Sequence, residues 1–113
     1  MTHTDRIAQV DPTETARLIA DGALLLDVRE LDEWAAGHAP GAVHVPLGQL
    51  DPATLPRDRV VVAICRSGHR SDTAARWLVA AGLDVRNLAG GMKAWAADGH
   101  SVRRADGQPG TVA

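Results

Sequence analysis

Arg59-Val60-Val61-Val62-Ala63-Ile64-Cys65-Arg66-Ser67-Gly68-His69-Arg70-Ser71-Asp72-Thr73-Ala74-Ala75-Arg76-Trp77-Leu78-Val79-Ala80-Ala81-Gly82 holds the chain's only cysteine. Its first six residues are a short, apolar, β-branched run, the pattern of a buried strand. From Ser71 onward the pattern is helical. Ser71 is the expected N-cap, Asp72 supplies an acidic first turn and Gly82 a C-terminal stop. The thiol therefore falls where a strand ends and a helix begins.

The flanking sequence repeats that alternation. Ile7 to Val10 forms a candidate first strand. Asp11-Pro12-Thr13-Glu14 then reads as an N-cap, a proline at the first helical position and a glutamate three residues after the cap, with Ala16, Leu18 and Ile19 as the apolar face. That helix ends near Asp21-Gly22. Ala23-Leu24-Leu25-Leu26-Asp27-Val28 lacks alternation, as a strand covered on both faces of a parallel sheet does. Glu30 to Gly37 fits a short helix whose acidic first turn complements the helix dipole. His38-Ala39-Pro40-Gly41 is a turn, Ala42 to Val45 a third strand closed by Pro46, and Leu47 to Pro56 a loop or a helical turn or two. After Gly82, Leu83 to Leu88 gives a fifth strand, and Gly90-Gly91 leads into a final short helix over Met92 to Ala97. Five short strands alternating with helical patterns predict an α/β domain with a mostly parallel sheet covered on both faces. Ligands of such sheets gather beyond the carboxyl ends of the strands, where both Asp27 and Cys65 fall.

At 113 residues the chain is long enough to bury about two-thirds of its unfolded surface in one core. Residues 1–105 are expected to form a single domain and 106–113 a flexible C-terminal tail, because the polar, glycine- and proline-containing stretch from Ser101 onward has little to anchor it. A formal charge of −2, with the twelve basic residues dispersed, argues against nucleic-acid binding. One cysteine allows no internal disulfide, consistent with a reducing compartment. Met1 to Arg6 shows no leader pattern and no later run approaches a membrane span, so a cytoplasmic location, away from the membrane, is the expectation.

The Cys65 loop has the chemistry of a site for an anion and a nucleophile together. The helix N-terminus is aimed at it, Arg66 and Arg70 add cations, and a chain reversal offers the thiol exposure; such surroundings lower a cysteine pKa. Backbone N–H groups curled around the sulfur by Gly68 and its neighbours would form an anion-binding nest.

Cys65-Arg66-Ser67-Gly68-His69-Arg70-Ser71 resembles the active-site loop of single-domain rhodaneses, sulfurtransferases that carry sulfane sulfur as a cysteine persulfide. Leu26-Asp27-Val28-Arg29 with Glu33-Trp34, then Gly37-His38-Ala39-Pro40-Gly41-Ala42, resembles that family's first signature, and Leu88-Ala89-Gly90-Gly91-Met92-Lys93-Ala94-Trp95 its last. The likeness runs from about Val10 to His100. It implies a three-layer α/β/α fold with a five-stranded sheet in the order 3-2-4-5-1. It also implies that Cys65 attacks the outer sulfur of thiosulfate or a related donor, and that a thiophilic acceptor strips the resulting persulfide. That acceptor would be cyanide, glutathione, or a thioredoxin-like or other protein thiol. In this reading the loop from Arg66 through Ser67, Gly68, His69 and Arg70 to Ser71 binds substrate, its N–H groups steadying anionic sulfur, with Arg66 and Arg70 as the cations for the dianion. No metal or organic cofactor is implied.

Other readings stay open beside it. In one, Cys65 belongs to a sulfur-relay or regulatory module fed by a protein partner. In another the loop serves a phosphatase or arsenate reductase, although related phosphatases place one more residue between cysteine and arginine than the four separating Cys65 from Arg70. The donor is open as well. Two-domain thiosulfate enzymes carry lysine where this chain has Ser67, and mercaptopyruvate enzymes carry glycine where it has Arg66.

Several further residues have plainer roles. Asp27 and Arg29 are expected to support the site, most simply as an ion pair tying strand to loop, and Arg29 and Glu33, four apart, could pair on a helical turn. His38 and His44 lack the spacing and third ligand of a zinc site. His69 is expected to contribute only its backbone N–H. Trp34, Trp77 and Trp95 are read as core residues, and Gly90-Gly91 as a turn and helix entry, short of a dinucleotide fingerprint.

Overall fold

A computed structural model of the chain describes residues 6–113; most of the Met1–Arg6 stretch read above for a leader lies outside them. Strands β1 (Ala8–Val10), β2 (Leu24–Asp27), β3 (Val43–His44), β4 (Val61–Ile64) and β5 (Val85–Leu88) alternate with helices α1 (Pro12–Ala20), α2 (Leu31–Ala36), α3 (His69–Ala80) and α4 (Gly91–Ala97). Between β3 and β4 the chain makes two short 3-10 turns, Leu47–Gln49 and Pro52–Thr54. The strands form one sheet in the order β1-β5-β4-β2-β3, and every pairing is parallel. This is the expected order read from the opposite edge.

Alternation along β4 divides the core. Val61, Ala63 and Cys65 face one side, with Leu26 and Val28, against Ala74, Ala75 and Leu78 of α3. Val62 and Ile64 face the other, with Leu25 and Leu88, against Met92 and Trp95 of α4 and Leu18 and Ile19 of α1. Because each face of the sheet is covered, the central strand β4 carries apolar residues at every position and is buried throughout. The helix starts obey local rules: Asp11 Oδ1 accepts from Glu14 N–H at 2.7 Å at the head of α1, with Pro12 at its first position.

The expectation that all three tryptophans are core residues is corrected. Trp77 is 48% exposed: the buried stripe of α3 runs through Ser71, Ala74, Ala75 and Leu78, and position 77 lies outside it. Trp95 is buried, whereas Trp34 is half-buried and stacks on His38 and His44, at centroid distances of 3.6 and 4.8 Å. The segment after α4 turns back on the domain. Arg103 and His38 exchange backbone hydrogen bonds of 2.8 and 2.9 Å, Thr111 N–H donates to Ala36 O at 2.9 Å, and Val102 and Val112 pack against the cluster around Trp95. Those two valines are the anchors that a reading by composition overlooks. Among the described residues, no helix is long and apolar enough to cross a membrane.

Candidate active site

The sheet brings the carboxyl ends of β2, β4 and β5 to one edge, and Cys65 follows directly on β4. The helix begins earlier than its serine implies. Gly68, at φ +105°, is the N-cap, and α3 starts at His69. A left-handed glycine turns the chain straight from the strand into the helix, so that only Cys65 to Gly68 lie between them. Ser71 thereby moves from the expected cap into the first turn, with its side chain pointed inward.

The sulfur sits on the floor of this tight loop. Gly68 N–H donates to Cys65 Sγ at 3.1 Å, and Ser71 Oγ lies 3.3 Å from it. Cys65 is only 1% exposed, which corrects the expectation of an exposed thiol: the backbone that curls its N–H groups around the sulfur also covers it. Burial pushes the Cys65 pKa up. Hydrogen bonds from the Ser71 hydroxyl and from the backbone N–H groups of Ser71, Gly68 and Ser67 more than offset that, and the net shift is downward.

The loop is clamped from two sides. From α4, Met92 N–H donates to Cys65 O at 2.7 Å and Lys93 N–H to Arg66 O at 3.0 Å, so the loop's carbonyls cap that helix while its N–H groups stay turned toward the sulfur. This requires Gly91, whose φ is +58° and on which a Cβ would lie 2.3 Å from Cys65 O. From α2, Glu33 accepts two hydrogen bonds from Arg70, at 2.6 and 2.8 Å. The arginine's bond, helped by Glu30 N–H, holds the Glu33 carboxyl at about 2 despite partial burial. Arg70 is correspondingly raised, first by Glu33 and further by the nearby Cys65 charge.

Glu33 therefore pairs with Arg70 across the site rather than with Arg29 along the chain. Arg29 is fully buried with Asp27. Its Nε and Nη2 donate to the Asp27 carboxylate at 2.8–3.1 Å, and Nη2 also reaches Gly37 O at 2.8 Å. The pair fixes the end of β2 to the end of α2, the helix that carries Glu33. Arg66 is exposed at the rim, with Nε donating to Ala113 O at 2.9 Å. His69 is exposed too. An open depression of about 440 Å³ adjoins the loop, between Ser67, Gly68 and His69 on one side and Gln9, Asn87 and Gly90 on the other. Among the described residues no cluster of three or more His, Cys, Asp or Glu side chains could hold a metal ion.

The Glu33–Arg70 pair carries a pH prediction. With its pKa depressed from 4.5 to about 2, Glu33 contributes stability that is present above pH 4.5 and lost as pH falls toward 2. Urea denaturation across that window should show wild type losing more stability than Glu33→Gln does. Parallel losses would mean that the pair contributes nothing.

Three partners were not identified from the sequence. Glu33 looks like an ordinary first-turn acid, and Gln9 is an exposed residue of β1. Asn87, 2% exposed, did leave a signal, as an uncharged polar residue within the expected fifth strand.

Comparison with known proteins agrees with this geometry. Residues 11–98 match the family model for the rhodanese-like domain. A sulfurtransferase of Allochromatium vinosum is 36% identical over 107 residues, covering 89% of this chain and 99% of the relative. Thiosulfate sulfurtransferase 18 of Arabidopsis thaliana is 32% identical over 126 residues, covering 96% and 92%. The crystal structure of a rhodanese-related protein from Thermoplasma volcanium superposes with a TM-score of 0.79 at 28% identity, covering 84% of this chain and 96% of that one. Against one further relative, from Bacillus subtilis, the chain spans only 40% of the length. With the family's model matched over most of its length, on a five-stranded parallel sheet that ends in the Cys65 loop, the chain belongs to the rhodanese-like domain family.

Proposed function

We propose that the protein is a sulfurtransferase that moves sulfane sulfur from thiosulfate, or a closely related donor, to a thiophilic acceptor through a persulfide on Cys65. Membership of the family and relatives named as sulfurtransferases support sulfur transfer. The observation that carries the finer reading is the buried Cys65 Sγ, held by the Gly68 N–H and the Ser71 hydroxyl on a loop that bears Arg66 and leads into the first turn of α3, which bears Arg70.

The Cys65 thiolate attacks the outer sulfur of thiosulfate. A sulfur–sulfur bond forms to Sγ, the bond from the outer sulfur to the sulfonate breaks, and sulfite leaves with the electron pair. The negative charge of the thiolate reappears on the terminal sulfur of the persulfide, where the N–H groups of the loop can hold it. The acceptor then attacks that terminal sulfur and regenerates the thiolate, so the cycle is a covalent double displacement. Arg66 on the rim is the cation best placed to receive the dianion, because Arg70 has two N–H groups committed to Glu33. Cyanide or a small or protein thiol, including a thioredoxin-like one, would serve as acceptor.

Incubation with thiosulfate followed by intact-mass measurement should show the gain of one sulfur, removed by cyanide and absent from Cys65→Ala. A wild-type protein that takes up no sulfur would overturn the proposal.

A further inference from the structure

The sulfur is the buried end of a hydrogen-bond chain that starts at an exposed glutamine on the edge strand of the sheet. Gln9 of β1 and Asn87 of β5 are register partners, and Asn87 Nδ2 donates to Gln9 Oε1 at 2.8 Å and to Gly68 O at 3.1 Å. Gln9 cannot be turned over, because its own Nε2 donates to Asp72 Oδ1 at 3.0 Å and to Ile7 O at 3.2 Å. With Gln9 presenting an acceptor, Asn87 must present its nitrogen to it, which leaves Asn87 Oδ1 facing Ser71 Oγ at 2.5 Å. Ser71 is fully buried, and its hydroxyl also lies 3.3 Å from Cys65 Sγ. A hydroxyl has one proton to donate, and here two acceptors compete for it.

Proton counting then separates the states of the sulfur. When Cys65 is a neutral thiol, S–H donates to Ser71 Oγ and Ser71 donates to Asn87, so every group is satisfied. When Sγ is a thiolate, the charged acceptor takes the Ser71 proton, and Asn87 Oδ1 is left without a donor. When Sγ carries a further sulfur, it is again uncharged and the proton returns to Asn87.

Building on the persulfide reading above, we propose that Asn87 is a positioning residue for sulfur transfer: it is the resting acceptor of the Ser71 proton, and it favours the thiol and the persulfide of Cys65 over the bare thiolate. Removing the acceptor should therefore make the thiolate easier to form. This is the opposite of what damage to the loop would do, since loss of the N–H groups around the sulfur makes ionisation harder.

The test is a titration of Cys65 by thiolate absorbance and by alkylation rate, which needs no sulfur donor. Asn87→Leu should lower the midpoint by about half to one pH unit, a threefold to tenfold change in the ionisation constant, and Ser71→Ala should raise it. In the Ser71→Ala background Asn87→Leu should have no further effect, because the two act through one proton. Arg66, Arg70, Asp72, Lys93, the Asp27–Arg29 pair and Glu33 are unchanged in all these variants, so their fields cancel in the comparison. A midpoint that rises or stays fixed in Asn87→Leu, or an equal shift in both backgrounds, would overturn the proposal.

Should Asn87→Leu not fold, Asn87→Ala carries the same test. It too removes the acceptor of the Ser71 proton while leaving Gln9 on Asp72, and the midpoint should again fall; no change would refute the role of the acceptor. At a fixed ratio of thiosulfate to sulfite, the persulfide fraction should also fall in Asn87→Leu. If no variant or wild type loads sulfur, the persulfide reading fails while the titration still decides the role of Asn87.

Discussion

Gly91→Ala is expected to destabilise the protein by about 2–5 kcal/mol, combining the strain of a left-handed residue with a Cβ with the cost of overpacking, and to slow alkylation of Cys65. The new methyl would meet Cys65 O at 2.3 Å and the Arg66 carbonyl carbon and oxygen at 2.6 Å. These are backbone atoms, so no rotamer change relieves the contact. The loop has to move, and with it the two hydrogen bonds from Met92 and Lys93 that hold it. Gly99→Ala is the control: its φ of +86° is similarly unfavourable, but a Cβ there meets nothing within 4 Å. Urea denaturation of both variants separates strain from collision. If Gly91→Ala costs no more than Gly99→Ala and leaves Cys65 equally reactive, the close approach of α4 does not shape the site.

Asp27→Asn should cost about 3–5 kcal/mol, the range seen when one member of a buried ion pair is removed. Both side chains are fully buried, and the carboxylate accepts from the Arg29 backbone N–H as well as from its side chain. An asparagine would keep the shape but strand the guanidinium in the core. That loss is a large share of the roughly 5–15 kcal/mol by which domains of this kind are stable, so the urea midpoint should fall steeply with little change in the slope. The double replacement Asp27→Leu with Arg29→Met should cost less than Asp27→Asn alone, because it strands no charge. A double variant as unstable as the single would show that packing, and not the unpaired charge, sets the cost. The consequence for the site runs through α2: Arg29 ties the end of that helix at Gly37, α2 carries Glu33, and Glu33 holds Arg70 in the first turn of α3.

Much of this arrangement was legible in the sequence for local reasons. The apolar runs at 23–26 and 60–64, the Asp11-Pro12 helix start and the glycines after α1 and α3 each act through near neighbours, so periodicity and capping rules locate them. The same holds for Cys65 at a strand-to-helix turn. Sheet order came from family resemblance, since parallel strands joined by helices do not reveal by composition which of them are adjacent. The misreadings share a cause. Ser71 has the chemistry of an N-cap, but the chain already turns from strand to helix at Gly68, whose positive φ makes the turn tight, so α3 starts at His69 and Ser71 falls within its first turn. Arg29 and Glu33 are four apart, yet one is drawn into the core by Asp27 and the other out to Arg70. Trp77 is large and apolar but falls off the buried stripe of its helix.

By itself the sequence determined the α/β alternation, the position of the nucleophile at the end of a strand and the cations beside it, because each follows from residues close together along the chain. Only the tertiary structure decided how the sulfur is held. Its partners come from elements far apart in sequence: Gln9 and Asn87 from neighbouring strands, Glu33 from α2, Gly91 from α4. A hydrogen bond of about 3 Å is fixed by which strands lie side by side, and no local pattern records that.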